Sequence, residues 1–272
     1  MTLIELTVVL LVLIGLAGLL IPYVSGFVQK THDSTGTNNL ARLNGNFARF
    51  ENEYLRAPDN LESLINGAAG TAAATDATCT AATINTVYCK MMYTGFWAPK
   101  QLNSVSVGSL NSAGIQNVLD NNPDTANATF ESVLATPRTL ATTGFVAVVA
   151  ADTFANVEDH LADAMGGLPT DYDATCYDYV GFGVGDANEM IGRTMNSAPI
   201  HFANNGAMGP VAKYNRFVAI FKVDTDNTTA GCSTGTERAK YVGSAMSMSA
   251  QSGHLWGVGH SAGHAYENIA NN

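Results

Sequence analysis

Residues 1–22 read Met1-Thr2-Leu3-Ile4-Glu5-Leu6-Thr7-Val8-Val9-Leu10-Leu11-Val12-Leu13-Ile14-Gly15-Leu16-Ala17-Gly18-Leu19-Leu20-Ile21-Pro22. Up to Gln29 the only charged side chain is Glu5, and Lys30 is the first cation. An apolar run this long predicts a membrane-spanning helix. At 1.5 Å per residue, 28 helical residues reach roughly 42 Å, enough to cross a bilayer. A secretory signal would start with a basic segment and place a cleavage site after a short apolar core. Here the apolar run starts at once. The chain therefore reads as already processed at Met1, with a leader removed in front and the apolar helix kept.

Glu5 is the informative residue. A carboxylate inside an apolar helix costs about 2.5–3.5 kcal/mol on insertion scales, so a partner is expected. The nearest candidate cation is the α-amino group of Met1, in the same chain or in a neighbouring copy. An amine on one subunit against Glu5 of the next would fix the register between staggered helices.

The stretch TLIELTVVLLVLIGLAGLLIP, with Glu5 and Pro22 at the family's positions, resembles the type IV pilins and type II secretion pseudopilins. The resemblance covers about the first 30 residues. It implies a peptidase that cuts before residue 1 and methylates the new amine. Residue 1 is most often Phe in that family, so Met1 keeps the amine but removes an aromatic contact. The implied fold is α+β: the pilin fold, a long N-terminal α-helix packed on an antiparallel β-sheet head with insertions. The implied parts are a transmembrane or filament-core helix over 1–28, the amphipathic half of the helix over 29–56, and a globular head over 57–272.

Pro22 has no N–H, and its ring crowds the carbonyl of Gly18. Gly15 and Gly18 each weaken the helix by about 1 kcal/mol relative to Ala. Gly15–Pro22 is thus the weakest part of the helix, and the resemblance implies that it stretches or melts in a filament. Residues 1–28 carry 18 large apolar side chains. Lipid is as apolar as a neighbouring helix, so transfer from membrane to filament core is close to neutral. Extraction then needs a motor driven by nucleotide hydrolysis. No GxxxxGK[ST] occurs, so that motor is another protein.

Thr31–Asn39 is poor helix material and on its own reads as a loop. Leu40, Leu43, Phe47, Phe50 and Tyr54 then follow spacings of one helical face. The helix is expected to stop before Pro58. Asp59 or Asn60 can cap a short helix over Leu61–Ile65. Strands are predicted at Thr86–Tyr93, Gly144–Ala150, Tyr179–Val184, Asn215–Val223 and Tyr241–Met248, and a helix at Val157–Met165.

The composition is 46% hydrophobic and only 13% charged, with a net charge of −10. An acidic surface without a basic patch argues against nucleic-acid binding. Cys79, Cys89, Cys176 and Cys232 form no CxxC motif. An even number in an exported chain suggests two disulfides, with three possible pairings. Cys79–Cys89 with Cys176–Cys232 is favoured: the first closes a short loop, the second a long one around two strand candidates.

Several weaker signals lie in the head. His254, His260, His264 and Glu267 have metal-ligand chemistry, but Gly257, Gly259 and Gly263 oppose a helix that would align them. Asp224, Asp226 and Asn227 offer hard oxygen ligands for calcium, as do Asp171, Asp173 and Asp178, although no EF-hand pattern is present. The competing reading is Asx-turn chemistry. Asn127 and Asn227 open glycosylation sequons. No GxSxG, HExxH or GxGxxG occurs, so no enzyme activity and no cofactor are expected.

The resemblance implies a structural subunit of an extracellular type IV pilus-like filament, a helical homopolymer. The alternative is a minor pilin or pseudopilin of a type II secretion system that primes or caps a filament and presents a binding head. A membrane-anchored enzyme is a third reading without a motif behind it. The implied partners are copies of the chain, a prepilin peptidase, an assembly ATPase and an inner-membrane platform. The unassembled subunit would reside in the inner membrane and the assembled one outside the cell.

Overall fold

The computed structural model describes residues 3–64, 96–124, 129–134, 137–142, 144–151, 156–199 and 217–246. It opens with helix α1 (Leu3–Tyr54). The helix ends where Leu55 takes a left-handed backbone, φ 56°, three residues ahead of Pro58. There follow β1 (Leu61–Ser63), β2 (Trp97–Gln101), α2 (Ser104–Ala113), β3 (Asn117–Asp124), β4 (Thr129–Leu134) and β5 (Arg138–Thr139). The chain continues through β6 (Phe145–Val149), α3 (Val157–Met165), β7 (Tyr177–Gly183), β8 (Phe217–Asp224) and β9 (Lys240–Met246).

The sheet is organised around β8, all eight of whose residues are buried. β8 pairs antiparallel with β7, from Tyr177↔Asp224 to Gly183↔Val218, and with β9, from Phe217↔Met246 to Lys222↔Lys240. The far edge of β7 is shared between two strands. Val180 and Gly181 pair with β6, and Phe182 and Gly183 pair with β1. The nine-stranded sheet therefore forks. One arm continues from β6 to β2, antiparallel. The other continues from β1 to β3 and on to β4 and β5. β1 and β3 run parallel, from Leu61↔Val118 to Ser63↔Asp120.

Alternation along the strands gives the sheet two apolar faces. One face joins Phe217, Ala219, Phe221 and Val223 of β8 to Val180 and Phe182 of β7 and Val146 and Val148 of β6. Leu40, Leu43, Phe47 and Phe50 of α1 cover it, with Leu110 and Ala113 of α2. The other face joins Val218, Ile220, Tyr179, Ala147 and Val149 to Leu161 and Ala164 of α3. Trp97 packs on this side directly over Gly181. A Cβ at Gly181 would lie 2.4 Å from the indole ring carbons, so the close approach requires glycine there.

This architecture corrects the expected pilin fold. The sheet is mixed and forked, with helices on both faces, and is not an antiparallel head laid on one helix. The helix is not packed along its length either: its large apolar residues from Leu3 to Leu16 are all exposed. The resemblance rests on residues outside the head, so it carried no information about strand pairing within it.

Local expectations fared unevenly. The four described strand expectations correspond to β6, β7, β8 and β9, with ends within two residues, and α3 spans Val157–Met165. Thr86–Tyr93 lies outside the described residues. The helix expected at Leu61–Ile65 is instead strand β1, buried at all three positions. Asn60 turns left-handed, φ 58°. Asp59 spends its carboxylate across the fold and not on the next turn. Its Oδ1 accepts from the backbone N–H groups of Gln116 and Asn117 at 2.9 and 2.8 Å, and its Oδ2 from the Asn117 side chain at 2.9 Å. Thr31–Asn39, loop-like on its own composition, is helical throughout, as the expected helix over 29–56 has it. Once α1 is nucleated on both sides, each added residue closes a hydrogen bond, and propagation outweighs weak local propensity. Gly36 is buried in line with Leu40 and Leu43.

Candidate assembly surface

Eleven large apolar side chains between Leu3 and Leu16 are exposed, from 52% at Val9 to 81% at Leu3. They occupy nearly every position, so the helix is apolar around its whole circumference. A helix of that kind is stable only when covered on all sides, by lipid or by other helices. Left in water, each such side chain forfeits about 1.5–3 kcal/mol of burial. Glu5 is the acidic residue of the first turn, where a carboxylate is favoured by the helix dipole. Thr7 keeps its hydroxyl within the helix by donating to the Ile4 carbonyl at 2.9 Å.

Gly15 and Gly18 have no atom from elsewhere in the chain near their Cβ positions, so nothing crowds α1 there. The backbone is helical across Gly15–Pro22 in this single subunit. Met1 lies outside the described residues. Among the described residues no helix is long and apolar enough to cross a membrane. The described apolar surface stops at Leu16, short of the roughly 20 residues that a span requires.

At its other end α1 is fixed to the head. Phe47 stacks on Tyr241 of β9 at 4.2 Å and meets Phe221 of β8 edge-on at 6.1 Å. The Tyr241 hydroxyl donates to Asn44 Oδ1 at 2.6 Å, and burial raises its pKa well above the usual tyrosine range. Just past the helix, Arg56 grips Glu189 with both guanidinium nitrogens, and the Asp59 N–H donates to the same carboxylate at 2.9 Å. The Arg56 bond holds the Glu189 carboxyl below its usual range. This clamp joins residues 133 positions apart, and only the folded chain reveals it.

The remaining candidates separate. Cys176 and Cys232 are disulfide-bonded, with Cα atoms 5.4 Å apart; Cys79 and Cys89 lie outside the described residues. Asp224 is buried, and its Oδ2 accepts from the Glu237 N–H at 2.8 Å. Asp226 accepts from the N–H and hydroxyl groups of Thr228 and Thr229 in an Asx turn. Those bonds, led by the Thr229 hydroxyl, hold its carboxyl far below the usual range. Asn227 is half-buried beside it. Asp178 pairs with Lys100 at 2.7 Å, Asp171 with Lys222 at 2.8 Å, and Asp173 accepts from the Thr175 N–H at 2.7 Å. Each of these carboxylates has a protein partner, although Asp224 Oδ1 is buried with none among the described residues; among the described residues no group of three or more His, Cys, Asp or Glu could hold a metal. Asn127, His254, His260, His264 and Glu267 lie outside the described residues.

Comparison with known proteins finds no matching family model, no matching curated protein and no matching solved structure.

Proposed function

We propose that the chain is a structural subunit of an extracellular type IV pilus-like filament and polymerises through its N-terminal helix. The observation that carries this reading is the exposed, all-round apolar surface from Leu3 to Leu16, interrupted by the acidic Glu5. Such a surface has two stable surroundings, lipid before assembly and the helices of other copies afterwards. A simple anchor has no use for a carboxylate five residues from its start. A staggered polymer does, because Glu5 of one copy can neutralise the Met1 amine of the next. The partners on this reading are further copies, a processing peptidase that exposes Met1, a motor that extracts the subunit, and an inner-membrane platform.

The test is Glu5→Gln, made in the organism that produces the chain. Subunit in the membrane fraction should stay at the wild-type level. Sheared extracellular filaments, imaged by electron microscopy and identified by mass, should fall about tenfold or more, because the unpaired Met1 amine is left in an apolar core. Filaments at the wild-type level would sink the reading.

A further inference from the structure

A cleft of about 590 Å³ opens between α1 and the segment that follows β7. That volume is in the range of small-molecule sites. Asn39, Arg42 and Asn46 line one wall and share a face of α1 at spacings of three and four. Thr194, Asn196 and Ser197 line the other. Leu43, Met195 and Pro199 add apolar surface between them. Arg42 is exposed and has no carboxylate partner among the described residues, in a chain of net charge −10. The Thr194 hydroxyl is buried and without a hydrogen-bond partner among the described residues.

The second wall is held in place before anything binds. Glu189 ties it to Arg56 and Asp59. Asp186 Oδ1 accepts from the Ala198 N–H at 2.8 Å. The Met190 carbonyl accepts from the N–H groups of Arg193, Thr194 and Met195. Arg193 lies over the Tyr54 ring at 4.9 Å, outside the cleft, and Arg42 is the charged group among the described lining residues. A preformed site avoids the ordering cost of binding.

We propose that this cleft binds a small, anionic, polyhydroxylated compound, the class of the sugar acids. The Arg42 guanidinium takes the carboxylate in two parallel hydrogen bonds. The carboxamides of Asn39, Asn46 and Asn196 and the hydroxyl of Ser197 each donate and accept, which matches ring hydroxyls. Leu43, Met195 and Pro199 meet the C–H face of the ring. The site does not depend on the filament reading, because every group in it belongs to one subunit.

The experiment is calorimetric titration of the full chain in detergent micelles with glucuronate, glucose and acetate as probes. Glucuronate should bind saturably, with glucose and acetate each weaker by about tenfold or more, since each lacks one half of the recognised chemistry. Arg42→Gln should weaken glucuronate by about tenfold or more and leave glucose unchanged. Arg42 is exposed, so the variant should keep the near-ultraviolet circular dichroism of the wild type. Absence of saturable glucuronate binding overturns the proposal. So does equal affinity for glucose, or unchanged glucuronate affinity in a folded Arg42→Gln variant.

Discussion

Lys222 sits on a strand with no exposed position, yet it carries a charge. The fold meets that cost with three groups. Its ammonium donates to the Asp171 carboxylate at 2.8 Å and to the Asp171 carbonyl, and lies 3.9 Å from the centre of the Tyr177 ring. The Lys222 bond in turn holds the Asp171 carboxyl below its usual range. Asp171→Asn should therefore destabilise the protein at neutral pH by about 1–3 kcal/mol, read from urea unfolding. The sign of the pH dependence follows from the lowered value. The contribution is complete above the unfolded aspartate value of about 3.9 and is lost as pH falls through the folded one. The gap between wild type and variant should shrink as the pH falls below the unfolded value, and a gap that stays constant through that acid range would contradict the assignment. Glu5 and Lys222 also show what single residues reveal in a sequence. Glu5 stands out because its apolar neighbours are adjacent in the chain. Lys222 does not, because Asp171 lies 51 residues away and the strand pattern alone gives no hint of it.

At the scale of elements, α1 joins the sheet through a short patch of apolar contacts. The spacing Leu40, Leu43, Phe47, Phe50 was readable from the sequence because a helix turns every 3.6 residues. Phe47→Ala should cost about 3–5 kcal/mol of stability, since the ring is fully buried against Tyr241 and Phe221. Tyr241→Phe keeps the stack and loses the bond to Asn44, so it should cost only about 1 kcal/mol. Thermal unfolding of both variants checks the ratio. Nearer the start of α1, Gly15–Pro22 is helical in the single subunit but retains its weak backbone. In an assembled filament a break in helical hydrogen bonding is expected within those residues, and a cryo-electron microscopy map showing unbroken helix there would contradict it. Helix α2 carries end signals that are legible in the sequence. Asn103 and Ser106 form a capping box, each backbone N–H meeting the other's side chain at 2.9 Å, and Gly114 closes the far end at φ 104°. The β-branched and glycine-containing interior hid it. Strand β3 was not legible, because Asn117–Asp124 has neither strand alternation nor a β-branched majority; its pairing is supplied by β1, β4 and β5.

At the scale of the whole molecule, the parallel pair β1–β3 and the fork at β7 are pairing choices between segments far apart in the chain. Local propensity does not encode them, and a resemblance confined to the first 30 residues or so did not reach them. The disulfide acts at this scale too. Cys176 and Cys232 lie 56 residues apart, and the bond removes about 4 kcal/mol of loop entropy from the unfolded chain. Cys176→Ser with Cys232→Ser should lower the urea midpoint accordingly, and reductant should move the wild type by at least as much but the double variant by less.

The two apolar faces that meet on β8 also set a hierarchy of opening in time. An amide exchanges with solvent only when its hydrogen bond is broken, and a strand flanked by two others opens only if a neighbour leaves as well. β8 is bonded to β7 and β9 and carries core residues toward both faces. Its protons have no partial opening available that spares the rest of the sheet. In deuterium exchange the β8 amides should be the last to be replaced, at a rate set by global unfolding. Those of β5, a two-residue strand with both positions exposed, should go in the first minutes.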